Sequence, residues 1–350
     1  MKKLIFVLVA LSIVFGATVF AAEKELKIFI WSEYMDEENM PKDFEKATGI
    51  KVRLDLYESN EDMMAKLQAG GVSQYDIIVP SDYIMPSLIN LKLIQPLDHS
   101  KIPNLKNLGT KFQETTFDPG NKFSAGYQWG TVGLMYRKDR LKADDVKSWA
   151  ILFDPKKDPG PFALIDSVRE MMGISLLYLG YDFNSINPKE LKAAADLLVQ
   201  TKKRQNCLGF KGGVGGKNDV VAGAASAAIV YNGDAIQAIA EDPEKLGFVV
   251  PKEGSEVWLD SMCIPAEAPN PDAAHKWINW ILDPKVNASL SNFNHYATPD
   301  DAAKPYLNKE DLENPGVWPP PEVMKSLYFT KDLGKDNRIM DEAWTRAKSH

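Results

Sequence analysis

Short apolar runs alternate with helical segments from Glu25 to Ile264, and no other feature narrows the possible folds as much. Residues 25–31 read as a strand, with Leu26, Ile28 and Ile30 among its apolar positions. Residues 35–48 read as a helix with Asp36 as its N-cap and Gly49 as its stop. Over 51–57, Val52, Leu54 and Leu56 alternate with polar neighbours, the period of a second strand. A helix over 61–69 and a short buried strand over 75–79 follow. A strand over 129–137 opens a second alternation: strands at 162–165, 225–231 and 248–250, with helices at 168–179, 189–202 and 235–240. Residues 257–264 carry the chain back, and helices follow over 271–282 and 286–293. This order predicts an α/β protein of two lobes, each a mostly parallel sheet flanked by helices, with a ligand cleft between them. At 350 residues the chain is too long for one compact core. The expected division is 23–133 with 261–301, and 134–260 with 302–350.

The first 22 residues read as a secretory signal peptide: Lys2 and Lys3, an apolar stretch, then Ala21 and Ala22 before a polar start. An uncleaved membrane anchor is the competing reading, because about 20 apolar residues can span a bilayer. The small residues ahead of a polar start favour cleavage. No cysteine lies near that point, so a lipid anchor is not expected, and the mature protein is expected free in a periplasm. An exported chain permits a disulfide between Cys207 and Cys263. Met262 and Ile264 flank Cys263 and favour a buried free thiol. The formal charge of −7 becomes −9 once the two leader lysines are removed. No Lys/Arg-rich run stands out, which argues against nucleic acid as a partner.

Three separated segments set a carboxylate beside aromatic rings: Trp31-Ser32-Glu33-Tyr34, Ser81-Asp82-Tyr83 and Trp258-Leu259-Asp260. Aromatic faces attract a cation and carboxylates neutralise it. The pattern suggests a cleft for a small organic cation with an apolar body, and a polyamine is the natural candidate. Trp31, Ser81 and Tyr231 fall at the carboxyl ends of expected strands, where open α/β sheets bind ligands. Each residue also has a plainer reading. Asp260 could satisfy a turn, though an acid between apolar residues needs a partner. Trp258 could be core, and it shares a strand face with Asp260. Ser167 and Glu170 fit a helix capping box. Trp31 and Tyr34 could lid a helix, Ser81 could cap one, and Tyr83, Tyr231 and Tyr296 could simply pack.

Six segments occur in an order that resembles a known family: Trp31-Ser32-Glu33-Tyr34, Val79-Pro80-Ser81-Asp82-Tyr83, Asp166-Ser167-Val168-Arg169-Glu170, Tyr231-Asn232-Gly233, Trp258-Leu259-Asp260-Ser261 with Ile264-Pro265, and Tyr296-Ala297-Thr298-Pro299. Together they resemble the bacterial spermidine/putrescine-binding proteins that feed an ABC importer. The resemblance spans nearly the whole mature chain. It implies a periplasmic receptor that closes two lobes around its ligand by hinge motion and is read by a membrane permease. It implies tunnel-lining roles for Trp31 and Tyr34, with Ser32 and Glu33 between them. Ser81 and Tyr83 would hold one end of the ligand, Glu170 a nitrogen, and Trp258 and Asp260 the central ring and main ammonium contact. Tyr231 stands where a tryptophan is usual, and Tyr296 supplies a further ring. Two departures leave chain-length preference open: Ser167 replaces a common second aspartate, and Phe329-Thr330 replaces a tryptophan and a glutamine. Asp82 is an extra acid that compensates if it points inward.

No enzyme, metal or cofactor motif accompanies these segments. His99, His275, His295 and His350 are scattered, so no metal site is expected. Residues 212–217 mimic a phosphate loop but have Lys211 at the first glycine position and Asn218 after the lysine, and read as a flexible loop. No Gly-x-Ser-x-Gly elbow occurs. A receptor of the same fold for another organic cation or amine remains the alternative.

Overall fold

The computed structural model of the protein describes residues 25–349. The expected signal peptide lies outside the described residues. Ten strands form the framework, with bounds β1 Glu25–Trp31, β2 Lys51–Tyr57, β3 Ile77–Ile78, β4 Ser124–Arg137 and β5 Phe162–Ile165 in the first half of the chain. The second half supplies β6 Cys207–Lys211, β7 Ala227–Tyr231, β8 Leu246–Val249, β9 Ser255–Cys263 and β10 Leu327–Tyr328. Their order is β2-β1-β3-β9-β4-β7-β5-β6, with β8 beside β4 and β10 beside β9.

The outer strands pair in parallel, as helical crossovers require. β1 runs in full register with β2, from Glu25 opposite Lys51 to Trp31 opposite Tyr57. The Asn39–Thr48 helix connects them and ends at Gly49, whose φ of 71° suits a residue with no Cβ. Both faces of β1 are covered. Leu26, Ile28 and Ile30 join Phe44, Trp277 and Ile278 on one side. Phe29 packs with Tyr57, Met63 and Tyr75 on the other.

β4 and β9 are the strands that cross. They run antiparallel to each other from Ser124 opposite Cys263 to Thr131 opposite Val257. From Val132 onward β4 changes partner and pairs antiparallel with β7, and with β8 from Leu134. The sheet therefore divides into two halves joined through one 14-residue strand, buried along all but its last residue. Gly130 sits just before the switch. A Cβ there would come within 2.3 Å of Asn232 Oδ1 and 2.5 Å of the Trp258 ring. Asn232 Oδ1 accepts from Thr131 N at 2.9 Å, so only glycine lets the ring and the amide close on β4 together.

Several local expectations shift. The helix expected from residue 35 begins at Asn39, because Asp36 Oδ1 accepts from the Glu38 and Asn39 amides at 3.2 and 2.9 Å. The strand expected over 75–79 shrinks to Ile77–Ile78; the Asp76 side chain takes the Lys27 amide at 2.9 Å in place of a ladder bond. The glycine-rich stretch read as a loop begins a helix, Gly215–Val221, and β6 was not anticipated. Both cysteines are free thiols, with Cys263 buried. The Asn337–Ser349 helix docks on the Pro188–Lys202 helix, with Trp344 edge-on to Phe210 at 4.7 Å.

Candidate ligand-binding cleft

The carboxyl ends of β1, β5 and β7, the turn after β3 and the middle of β9 converge on one cavity of about 550 Å³ between the two halves of the sheet. Ten of the twelve residues singled out from the sequence line it: Trp31, Ser32, Tyr34, Ser81, Tyr83, Glu170, Tyr231, Trp258, Asp260 and Tyr296. Glu33 and Asp82 do not.

The aromatic wall is fixed by its own hydrogen bonds. Trp31 Nε1 donates to Val79 O at 2.8 Å, and the Tyr57 hydroxyl donates to the same carbonyl at 2.6 Å. Trp258 meets Tyr296, Tyr231 and Tyr34 at centroid distances of 5.2, 6.1 and 6.3 Å. Tyr296 lies against Gly233, where a Cβ would come within 2.6 Å of its ring. Tyr83 donates to Glu61 Oε1 at 3.1 Å, and the Arg169 guanidinium stacks on its ring at 5.6 Å. Arg169 is itself held by Lys331 O at 2.6 Å, which ties the C-terminal segment to this wall.

Nine carboxylates line the cavity against a single lysine, Lys348. Such an excess makes the interior strongly attractive to cations. Glu170 accepts from the Tyr231 hydroxyl at 2.9 Å and from the Ser167 hydroxyl. The capping box is therefore not made: Ser167 spends its hydroxyl on Glu170, and no side chain caps the Val168–Tyr178 helix. Asp260 is 5% exposed and Glu256 1%. Burial pushes the Asp260 carboxyl up to about 7; the Ser81 and Tyr34 hydroxyls pull it down less, and Glu170 adds repulsion. Burial also raises Asp234 to about 6, partly offset by Lys217. Glu256 rises well above its ordinary value, first from burial and then from Glu170. Asp260 Oδ1, Glu256 Oε2 and the Trp258 indole N–H make no well-formed hydrogen bond in the protein, and the Tyr34 hydroxyl stands near Asp260 without closing one. Two unpaired carboxylate oxygens walled by aromatic faces can hold protonated amines and cover the methylenes between them.

The two exceptions have clear causes. Asp82 is buried behind the wall, where it accepts from the amides of Tyr83 at 2.7 Å and Leu259 at 3.2 Å. It borders a separate hollow shared with Phe329 and Thr330. Glu33, in a left-handed turn with φ 53°, reaches across the cleft to Lys217 Nζ at 2.6 Å. Thr330 does not line the cavity, but its hydroxyl donates to Glu256. The sequence reading missed Glu256, Asp234 and Glu61, which all line the cavity. Glu256 was findable: it extends the 258/260 alternation along β9 by one step. Asp234 follows Tyr231 by three residues into the Asn232–Glu241 helix, and Glu61 lies in the first turn of the Asn60–Gln68 helix. Among the described residues, no group of three or more His, Cys, Asp or Glu side chains is placed to hold a metal ion.

The family model of the bacterial extracellular solute-binding proteins matches residues 39–316. The chain belongs to this family. The solute-binding protein is 36% identical over 347 residues to the putrescine-binding periplasmic protein SpuD of Pseudomonas aeruginosa, covering 94% of this chain and 93% of that one. It is 34% identical over 324 residues to the spermidine/putrescine-binding periplasmic protein of Escherichia coli, covering 93% and 91%. Among solved structures, a putative spermidine/putrescine ABC transporter protein from Listeria monocytogenes superposes with a TM-score of 0.84 at 36% identity, covering 93% of this chain and 99% of that one. These relatives share the two-lobe fold of periplasmic binding proteins. No helix among the described residues of the solute-binding protein is long and apolar enough to cross a membrane.

Proposed function

We propose that this receptor captures a polyamine of the putrescine and spermidine class, closes its lobes over it, and presents the closed form to the membrane permease of an ABC importer. The observation that carries the reading is the pair of unpartnered, buried carboxylate oxygens on β9, Asp260 Oδ1 and Glu256 Oε2, inside an aromatic-walled acidic cavity. Asp260 and Glu256 pair with ammonium groups through charge-assisted hydrogen bonds, and Glu170, oriented by the Tyr231 and Ser167 hydroxyls, adds a further carboxylate for a nitrogen. Trp31, Tyr34, Tyr231, Trp258 and Tyr296 cover the methylenes and add cation–π attraction. Ser32, Ser81 and Tyr83 complete the polar rim. Closure removes water, so each paired charge counts for more. Glu33 acts on closure rather than on the ligand, since its carboxylate is engaged by Lys217 across the cleft.

The lobes hinge where β4 changes partner between Thr131 and Val132. We assign residues 25–133 with 261–301 to one lobe and 134–260 with 302–349 to the other. The leader is cleaved and the mature receptor works free in the periplasm, without a lipid anchor. Its role has no chemical step and no nucleic-acid partner.

A thermal-shift panel tests the reading. Putrescine or spermidine at saturating concentration should raise the melting temperature by several degrees, because a ligand that binds only the native state stabilises it by mass action. Glutamate and maltose should leave it unchanged. A shift with another organic cation and none with either polyamine would move the assignment to that cation.

A further inference from the structure

We infer that Lys348 fills one amine position of the cavity from within the protein, so that the site selects a diamine over a triamine. The inference rests on the polyamine reading above. Lys348 is the one basic side chain among the described residues that line the cavity. Its Nζ is held by both oxygens of Asp166, at 2.7 and 2.8 Å, and lies 5.6 Å from the centroid of the Trp344 ring. An ammonium between a carboxylate and an indole face is the same arrangement that Asp260 and Trp258 offer elsewhere in the cavity. The tail helix carrying it is anchored: Trp344 packs on Phe210, Arg346 pairs with Asp196 at 2.5 Å, and Lys202 Nζ donates to Lys348 O.

Asp166 is thereby committed to a protein cation. Its neighbour Ser167, at the position where the resemblance implies a second aspartate, has given its hydroxyl to Glu170. At the β5 end of the cavity Glu170 thus stays available to a ligand nitrogen, while Asp166 has its charge answered by Lys348. The helix that follows β5 packs directly on β9, so Glu170 lies close enough to repel Asp260 and Glu256, whereas Asp166 just past the end of β5 is taken by Lys348. A short diamine is accommodated near β9. The third nitrogen of a longer triamine reaches toward Asp166 and meets the Lys348 ammonium, a like charge, in place of a free carboxylate.

Calorimetric titration of ligand-stripped protein with putrescine and with spermidine tests this in the wild type, Lys348→Ala, Lys348→Met and Lys348→Ala/Asp166→Asn. Met keeps most of the aliphatic stem and removes the charge, which guards against a packing effect in the tail helix. The wild type should prefer putrescine. In both single variants the spermidine-to-putrescine affinity ratio should rise a few-fold, since the Lys348 and Asp166 side chains are 44% and 29% exposed and a pair so placed is worth about 1 kcal/mol or less. The double variant should lose that gain, because the newly freed carboxylate is gone. An unchanged ratio in the single variants overturns the inference, as does a wild type that prefers spermidine. A gain that survives in the double variant also overturns it, since space rather than Asp166 would then be responsible. A wild type that binds neither amine overturns the polyamine reading and this inference with it, whereas binding with an unchanged ratio sinks the inference alone.

Discussion

Replacing Asp260 with asparagine separates two effects of opposite sign. Burial raises its carboxyl from 3.8 to about 7. Between those values the native state keeps a proton that the unfolded chain has released, so stability falls as pH rises through the window. At about 1.4 kcal/mol per pH unit, the cost at pH 7.5 is about 4 kcal/mol. Asparagine has no charge to desolvate and removes that cost. Ligand-free Asp260→Asn should therefore melt several degrees above the wild type at about pH 7.5. The gain should shrink by more than half at about pH 5, where wild-type Asp260 is already protonated. Ligand affinity moves the other way. Losing the buried partner of an ammonium costs about 3 kcal/mol, roughly a hundredfold in Kd. Thermal melts at the two pH values and calorimetry with putrescine read both effects. Unchanged affinity refutes Asp260 as the ammonium partner. A variant that melts lower than the wild type at pH 7.5 refutes the burial argument.

Trp258→Ala removes the ring that Tyr34, Tyr231 and Tyr296 surround, and should weaken binding by about 2 kcal/mol in a calorimetric titration; no loss would reduce Trp258 to wall packing. Affinity should fall about tenfold per pH unit as pH drops below about 7, because Asp260 must shed its proton to receive an ammonium, and Asp234 at about 6 steepens the fall. A flat profile from about pH 8 to 5.5 contradicts the assigned charges. Lys217→Ala removes the cross-cleft pair with Glu33, in which the lysine is 12% and the glutamate 47% exposed. A pair so placed is worth about 1 kcal/mol or less, so Kd should rise a few-fold and the ligand-free radius of gyration should increase in small-angle scattering.

The frame was legible because period and punctuation agree with burial. β1, β2 and β5 fall where alternation or apolar runs place them. The pairing was not legible. Nothing in residues 124–137 says that half of β4 will face β9 and half β7, since both neighbours are recruited from more than 90 residues away. The crossing strands therefore run antiparallel in a sheet whose outer strands are parallel, as each must pass between lobes in the opposite sense. In the cleft, the motifs located Trp258 and Asp260 but misplaced Asp82, because its carboxylate is consumed by two backbone amides that only the fold brings within reach. Glu33 has a positive φ that turns it out of the cavity, and backbone sign is invisible in a Trp-Ser-Glu-Tyr string. Glu61 and Lys348 are ordinary helix-surface residues by sequence; they become site residues only when the Asn60–Gln68 and Asn337–Ser349 helices close over the cleft.

The central claim is that an acidic, aromatic-walled cleft binds a polyamine, and calorimetric titration of residues 23–350 tests it most directly. The protein must first be unfolded, stripped of ligand and refolded, with circular dichroism confirming the native α/β signal. The account predicts one-to-one binding of putrescine or spermidine at micromolar Kd or tighter, with no heat from a non-amine control. A folded protein that takes up neither amine contradicts it.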